Sequence, residues 1–361
     1  MKHSTPKPAA VTTNLLSLDL GDRDSRYFVI DEAGRTVGEG SVRTTRDALD
    51  ALFTRFAPRE VALEVGGHSP WVSRLAESRG IRATVANARK LALITRNERK
   101  NDRTDAELLA RLARVDRKLL CPVRHRSEQS QQDLAILRAR TALVATRTAL
   151  INHVRGQVKS IGRRLKSCSA ECFHKRVAEQ LPVELQPALL PVVQTIEHVS
   201  ATIRGIEKQI ETLATERYPD SARMKQVGGV ASKVALNFML TIDDPARMKS
   251  SRQAGPFIGL TPRTRQSGDT SPQLRITKAG DHETRRLLVI SANYILGRFG
   301  PDCDLRRFGL KIAARGGKNA RMRAKVAVAR KLAVLLHHLW KTGETYDPFH
   351  LARRRGEPVP A

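Results

Sequence analysis

Three hundred and sixty-one residues exceed one small module and suit two globular domains plus a connecting element. Lys and Arg number 64 against 36 Asp and Glu, a net charge of +28 that points to a polyanionic partner, nucleic acid first. An apolar content of 40% excludes a disordered basic tail, and 4% aromatics argue against a base-stacking platform of the RRM or OB type. Four scattered cysteines (Cys121, Cys168, Cys172, Cys303) make no disulfide framework and imply a reducing compartment. No apolar run approaches a membrane span, and Met1 to Thr13 lacks the apolar core of a signal peptide. A soluble intracellular protein is therefore expected.

In chain order, Asn14 to Leu20 alternates, with Leu16, Leu18 and Leu20 on one face and Ser17 and Asp19 on the other. Tyr27–Ile30 and Thr36–Ser41 flank the turn Asp31-Glu32-Ala33-Gly34, predicting three antiparallel strands. Helical spacing over Ala48–Phe56 precedes a strand over Glu60–Val65, a helix over Pro70–Ser78 and a short strand over Ile81–Val85. A basic stretch, Arg89 to Arg103, leads into a helix that contains Asp102 and Asp105. Hairpins followed by alternating helices and strands predict a mixed sheet covered by helices.

The middle changes period. Leu137, Val144, Ile151 and Val158 recur every seven residues, and Val192, Ile196, Val199, Ile203, Ile206, Ile210 and Leu213 follow 3-4 spacing. Both patterns are coiled-coil seams, able to pair within one chain or between copies. Arg138, Arg140, Arg147, Arg155 and Lys159 lie largely off the seam, as a solvated or nucleic-acid face. Beyond Met224, Gly228-Gly229 opens a helix, Gly255–Gly280 reads as a loop-rich segment, and helices resume over Thr284–Leu296 and Arg321–Trp340. Lys311, Arg315, Lys318, Arg321, Arg323, Lys325, Arg330 and Lys331 make a dense basic stretch, and the chain after Gly343 is expected to fray.

In so basic a chain, gathered carboxylates need a reason. Asp19 and Glu64 sit on the polar sides of two strands, and Asp102 and Asp105 share a helix face. Brought together, four like charges require a cation. Hard oxygen donors suit Mg²⁺, and paired ions of that kind support phosphodiester chemistry. Singly, each acid has a plainer account as a strand-end, exposed or first-turn residue. Their order (strand Asp, strand Glu, helix Asp pair) is the RNase H-like arrangement. Ser267, preceded by Arg263 and Arg265, has the surroundings of a nucleophile or of an ordinary turn serine. Cys168, Cys172 and His174 lack a second pair at finger spacing, and the adjacent His337 and His338 do not share a helix face.

Leu18-Asp19-Leu20-Gly21, Leu63-Glu64-Val65-Gly66-Gly67-His68-Ser69-Pro70-Trp71 and Arg99-Lys100-Asn101-Asp102-Arg103-Thr104-Asp105-Ala106 resemble the DEDD transposases of the insertion-sequence IS110 family. So do Thr241–Pro245, Gly259–Pro262, Gln266-Ser267-Gly268 and Arg275–Asp281, in collinear order. The resemblance runs from about Leu15 to about Arg298. Small departures are Gly66-Gly67 after Glu64, Ala231 in place of a usual glycine, and Asp269 after Ser267-Gly268.

The resemblance implies an RNase H-like (RuvC-like) α/β domain over 14–125, a helical coiled-coil connector over 126–216 and a mostly helical transposase domain over 217–342, with flexible tails 1–13 and 343–361. Asp19, Glu64, Asp102 and Asp105 would be the Mg²⁺-binding catalytic tetrad, and Ser267 the serine that links covalently to DNA. Lys278 and Arg285 are expected phosphate contacts. The implied partners are donor and target DNA, a structured guide RNA from the element, and further copies of the chain in a homo-oligomer, dimer or tetramer. The implied location is the prokaryotic cytoplasm, at the nucleoid and with no membrane. The heavy charge without a base-reading motif suits a protein that holds backbones while RNA reads sequence. A Holliday-junction nuclease using water, or a nonenzymatic nucleic-acid scaffold, are the competing readings.

Overall fold

The computed structural model of the chain describes residues 14–87, 102–266, 268, 270, 272 and 274–359; the side chains of Asp102 and Arg103 lie outside the description. The expected tail 1–13 and most of the basic stretch from Arg89 fall outside it as well. The chain divides into two compact units between His125 and Arg126.

The first unit is built on a five-stranded sheet of order β3-β2-β1-β4-β5. Its strands are β1 (Leu15–Asp19), β2 (Asp24–Ile30), β3 (Thr36–Arg43), β4 (Glu60–Glu64) and β5 (Arg82–Ala86). β1, β2 and β3 form an antiparallel meander, whereas β4 runs parallel to both β1 and β5. Parallel neighbours need crossovers, supplied by α1 (Arg46–Phe56) and α2 (Ser69–Ser78). These helices cover one face, where Leu16, Leu18, Val61 and Leu63 pack with Leu49, Phe53 and Val72. The other face is covered too. Leu15, Phe28 and Ala62 pack against Ala106, Leu109, Ala110 and Ala113 of α3 (Asp102–Val115). The polar side of β1 therefore faces a helix and not water. Alternation fixes which residues share a face but not what lies over it.

Two glutamates on that face of β4 have different settings. Glu60, 1% exposed, accepts from Thr84 Oγ1 (2.7 Å) and from Arg117 Nε (2.7 and 2.9 Å), closing one end of the layer. Glu64, at the other end of the strand, is only partly covered.

The second unit opens with two long helices, α4 (Glu128–Ser160) and α6 (Gln186–Glu216), that pack along each other within the chain. Seam residues Leu137, Ile151, Val158, Ile196, Val199, Ile203 and Ile210 are buried. Arg138 and Lys159 are exposed, but three of the arginines depart from the expected solvated or nucleic-acid face. Arg147 is 6% exposed and reaches Glu171 (3.1 Å), Arg140 bonds Glu207 (3.0 Å), and Arg155 lies over the Phe173 ring (5.4 Å). Long aliphatic stems let a cation cross a seam and surface beyond it. Phe173 begins the short helix α5 (Phe173–Val177) at the hairpin's closed end.

At the open end the hairpin continues into the C-terminal helices, with Leu134, Leu137, Ile210 and Ala214 sharing a core with Leu236 and Leu240. Asp133 accepts there from Arg217 (2.8 Å) and the Tyr218 hydroxyl (2.7 Å). Then follow α7 (Ser221–Lys225), α8 (Ser232–Ile242), α9 (Ala254–Phe257), α10 (His282–Leu296), α11 (Asp304–Ala313), α12 (Ala320–Thr342) and α13 (His350–Arg354). α8, α10 and α12 form the main core through Phe238, Leu288, Val328, Leu332 and Leu336.

The stretch after Gly343, expected as a flexible tail, folds back. Phe349 and Ala352 are buried, and the N–H groups of Leu351 and Ala352 donate to the Asp304 carboxylate (2.6 and 3.1 Å). α11 has no counterpart in the sequence reading. A Cβ built on Gly309 would lie 2.5 Å from Leu296 Cδ2 and 2.6 Å from Val328 Cγ2, so this glycine permits close helix approach.

His337, fully buried on α12, shows the plain role expected of it. Nε2 lies 3.1 Å from the Pro245 carbonyl, which can only accept, so Nδ1 accepts from the Ser251 hydroxyl at 2.9 Å. Desolvation first, then Lys341 and His338, pull its pKa below the ordinary 6.5, against the raising effect of the Pro245 bond. The unfolded chain therefore takes up this proton first on acidification. The contribution of neutral His337 is full above the ordinary value and is lost as pH falls below it. Thermal melts of wild type between pH 7.5 and 5 should show a fall in Tm that His337→Gln partly flattens.

Candidate active site

Asp19 and Glu64 end two adjacent parallel strands. The register pairs Leu18 with Leu63, so the next position on each strand is a carboxylate. Paired strands lie about 4.8 Å apart, which starts the two side chains as near neighbours. Both point to the side that α3 covers, because Ser17 and Ala62 two residues earlier do.

The direction of α3 completes the placement. Ser17 Oγ donates to the Ala106 carbonyl at 2.6 Å, while Arg114, near the helix C-terminus, reaches the Glu32 carbonyl (3.4 Å). Glu32 lies in the β2–β3 turn, just past Ile30, which is paired with Leu15 at the start of β1. The helix thus runs opposite to β1, and its first turn lies toward the end that carries Asp19. Asp105, 6% exposed, stands one residue from the Ser17 contact on that side. Asp102 opens the helix, but its side chain lies outside the described residues. Three of the four expected acids therefore share one face and one end of the sheet.

Beyond Glu64 the chain turns through Gly66-Gly67 into α2, with the Ser69 hydroxyl bonding to Gly66 N–H and carbonyl (both 2.9 Å). A Cβ at either glycine would meet nothing within 4 Å, so a larger residue would fit where this sequence has glycine.

Carboxylate oxygens at one end of a layer are a donor set suited to a hard divalent cation. Among the described residues no three His, Cys, Asp or Glu side chains stand close enough to hold an ion together.

Ser267 lies outside the described residues, but the frame that carries it does not. Residues 261–263 before it and 275–277 after it pair as a narrow antiparallel ribbon: Pro262 pairs with Ile276, Arg263 N–H bonds Arg275 O (3.0 Å) and Thr277 N–H bonds Thr261 O (2.9 Å). The expected loop thus has a paired base, at which Arg263 and Arg275 are both exposed. Lys278 is exposed in left-handed backbone (φ 55°) and open to a phosphate. Arg285 is placed differently from a surface contact. At 8% exposure its Nη1 donates to the carbonyls of Ile258 (2.9 Å) and Ala279 (2.8 Å). It pins the ribbon base, a role invisible in sequence because both acceptors are backbone.

Residues 16–162 match the profile of the DEDD transposases of IS110 type, and residues 221–306 match the transposase IS116/IS110/IS902 family. The transposase for insertion sequence element IS1111A of Coxiella burnetii is 30% identical over 259 residues, 68% of each chain. The transposase for insertion sequence element IS1328 of Yersinia enterocolitica is 26% identical over 290 residues, 79% of this chain and 84% of the relative. These likenesses define an insertion-sequence transposase, an enzyme that cleaves and transfers DNA strands. The chain belongs to the IS110 family, whose DEDD members normally use a divalent metal. Among the described residues no helix is long and apolar enough to cross a membrane.

Proposed function

We propose that this transposase moves its element by a two-part chemistry, with an RNase H-like acid site in residues 14–125 and a serine nucleophile in residues 217–342, joined by the connector 126–216. The observation that carries the reading is that Asp19 and Glu64 each follow the last register pair, Leu18–Leu63, of two adjacent parallel strands, at the Asp105 end of α3.

Asp19, Glu64, Asp102 and Asp105 would hold Mg²⁺, which when bound polarises the scissile phosphate and steadies its developing charge. Ser267 Oγ attacks phosphorus, the hydroxyl proton passes to a base, and the bond from phosphorus to the deoxyribose oxygen breaks, that oxygen taking a proton from water as it leaves as a hydroxyl. The resulting serine–DNA ester keeps the phosphodiester energy until a second strand's hydroxyl displaces the serine. Exposed Arg263 and Arg265 precede the serine in sequence, exposed Arg275 follows it, and their charge suits a phosphate. Net charge +28 with few aromatics supports a protein that grips backbones, while a structured RNA from the element selects donor and target DNA. Homo-oligomers would then let one copy's acids serve another copy's serine.

The test is a denaturing gel of protein, flanking RNA and labelled element-end DNA with Mg²⁺. Wild type should give a protein–DNA adduct that Ser267→Ala lacks. Cleavage without an adduct that survives Ser267→Ala would leave a nuclease using water, and formation of the adduct without RNA would remove the guide.

A further inference from the structure

The second unit carries a large groove that the serine chemistry does not use. Its cavity of about 1440 Å³ lies between the ribbon, α11, α12 and the folded-back segment after Gly343. Its floor is apolar, with Ile276, Phe308, Met322, Val326 and Leu335 among the lining residues. Its rim is cationic, with Arg275, Lys278, Arg315, Arg323 and Arg330. Among the described residues none of these five cations forms an ion pair. The acids of the lining already have partners: Asp304 caps α13, Asp347 pairs with Arg353 (2.7 Å), and Glu344 meets Nε2 of His338, also in the lining, at 3.2 Å. The groove therefore shows net positive charge over an apolar floor.

We propose that this groove holds an unpaired stretch of nucleic acid, its phosphates on the arginine rim and its bases turned to the floor. Charge complementarity selects a polyanion, and the apolar floor selects among polyanions. A duplex presents phosphates and buries its base faces, so it gains nothing from Met322 or Leu335. A single strand offers base faces that bury apolar surface, and arginine planes can stack on them where aromatics are few. Phe308 supplies one ring, and Lys331 Nζ already sits 3.7 Å over it. The location fits the same occupant: Pro262, Leu274, Arg275 and Ile276 form one wall, so a strand in the groove passes the paired base between whose two strands Ser267 lies in sequence. The proposal rests on the serine reading for the purpose of that strand, which must leave its complement to be exchanged. Its binding does not depend on that reading.

The test is fluorescence anisotropy with full-length protein in EDTA, comparing a labelled single strand with a blunt duplex of equal length, so that neither metal nor covalent chemistry enters. Met322 is 54% exposed, so Met322→Glu should keep the wild-type melting temperature. It should weaken single-strand binding at least about 10-fold and duplex binding no more than about 2-fold. Arg315→Ala should lower the single-strand salt slope by about 0.7. Photocrosslinks from 4-thiothymidine should map to 274–276 and to α11 and α12. Equal loss for both probes, or crosslinks confined to other regions, would overturn the proposal. If Met322→Glu binds both like wild type yet loses strand transfer, the groove takes a protein segment and the proposal fails. Loss of the adduct in Ser267→Ala with intact groove binding would leave each reading standing on its own result.

Discussion

Asp105→Asn should leave a folded protein that binds element-end DNA within about twofold of wild type and cleaves it at least about 100-fold more slowly. Asparagine keeps the volume of a side chain that is 6% exposed, so packing is conserved while one negative charge is removed. Asp19→Asn should behave alike, because Asp19 ends the strand whose Ser17 bonds the turn of α3 that follows Asp105. The contrast is Glu60→Gln on the same sheet face. Glu60 is bound by Thr84 and Arg117 at the opposite end of the layer, so its loss should lower Tm and spare the chemistry per folded molecule. Cleavage rates normalised to folded protein, beside DNA affinity and Tm, separate the cases. Equal catalytic loss in all three variants, each with a lowered Tm, would reduce the acids to structural residues.

The strands and long helices of this chain were legible because their periods of two and of seven or 3-4 place apolar residues unambiguously. The adjacency of Asp19 and Glu64 at two strand ends was only half legible. Alternation put both on the polar side of their strands, but the cover over that side comes from α3, far along the chain, with Ser17 and its partner Ala106 separated by 89 positions. The arginines were misleading for a related reason. Charge suggests an outward face, yet Arg147 crosses the seam to Glu171, and Arg285 turns inward to two carbonyls that no side-chain pattern reveals. Gly309 disguised α11, since a glycine inside a short amphipathic run resembles a break until Leu296 and Val328 are found against its Cα. The folded-back segment after Gly343 was hidden by composition. Its anchors are single residues, Phe349 and the N–H groups that meet Asp304, too sparse to form a period.

Gly280→Ala and Gly259→Ala should be among the most damaging small substitutions in the second unit. Both glycines adopt left-handed backbone, φ 70° and 75°. A Cβ at Gly280 would lie 2.2 Å from the Phe257 carbonyl oxygen, and one at Gly259 would lie 2.3 Å from both the nitrogen and the oxygen of Ala279. Backbone cannot swing aside as a side-chain tip can. Strain and clash together should cost roughly 2–4 kcal/mol and lower Tm by about 4–12 °C. The damage should also reach function, because this crossing sets the ribbon base. Lys278 N–H bonds Gly259 O (3.1 Å) and the Arg285 guanidinium grips both sides of the crossing. Separation of those segments would shift the frame that carries Ser267. Gly205→Ala is the control: it lies inside α6, where a Cβ meets nothing within 4 Å, so alanine should be neutral or stabilise by up to about 1 kcal/mol. Denaturation curves and strand-transfer assays on the three variants test both halves of the claim. A Gly280→Ala protein with wild-type stability would show that the crossing has room to relax, and the ribbon would then not be rigidly positioned by its glycines.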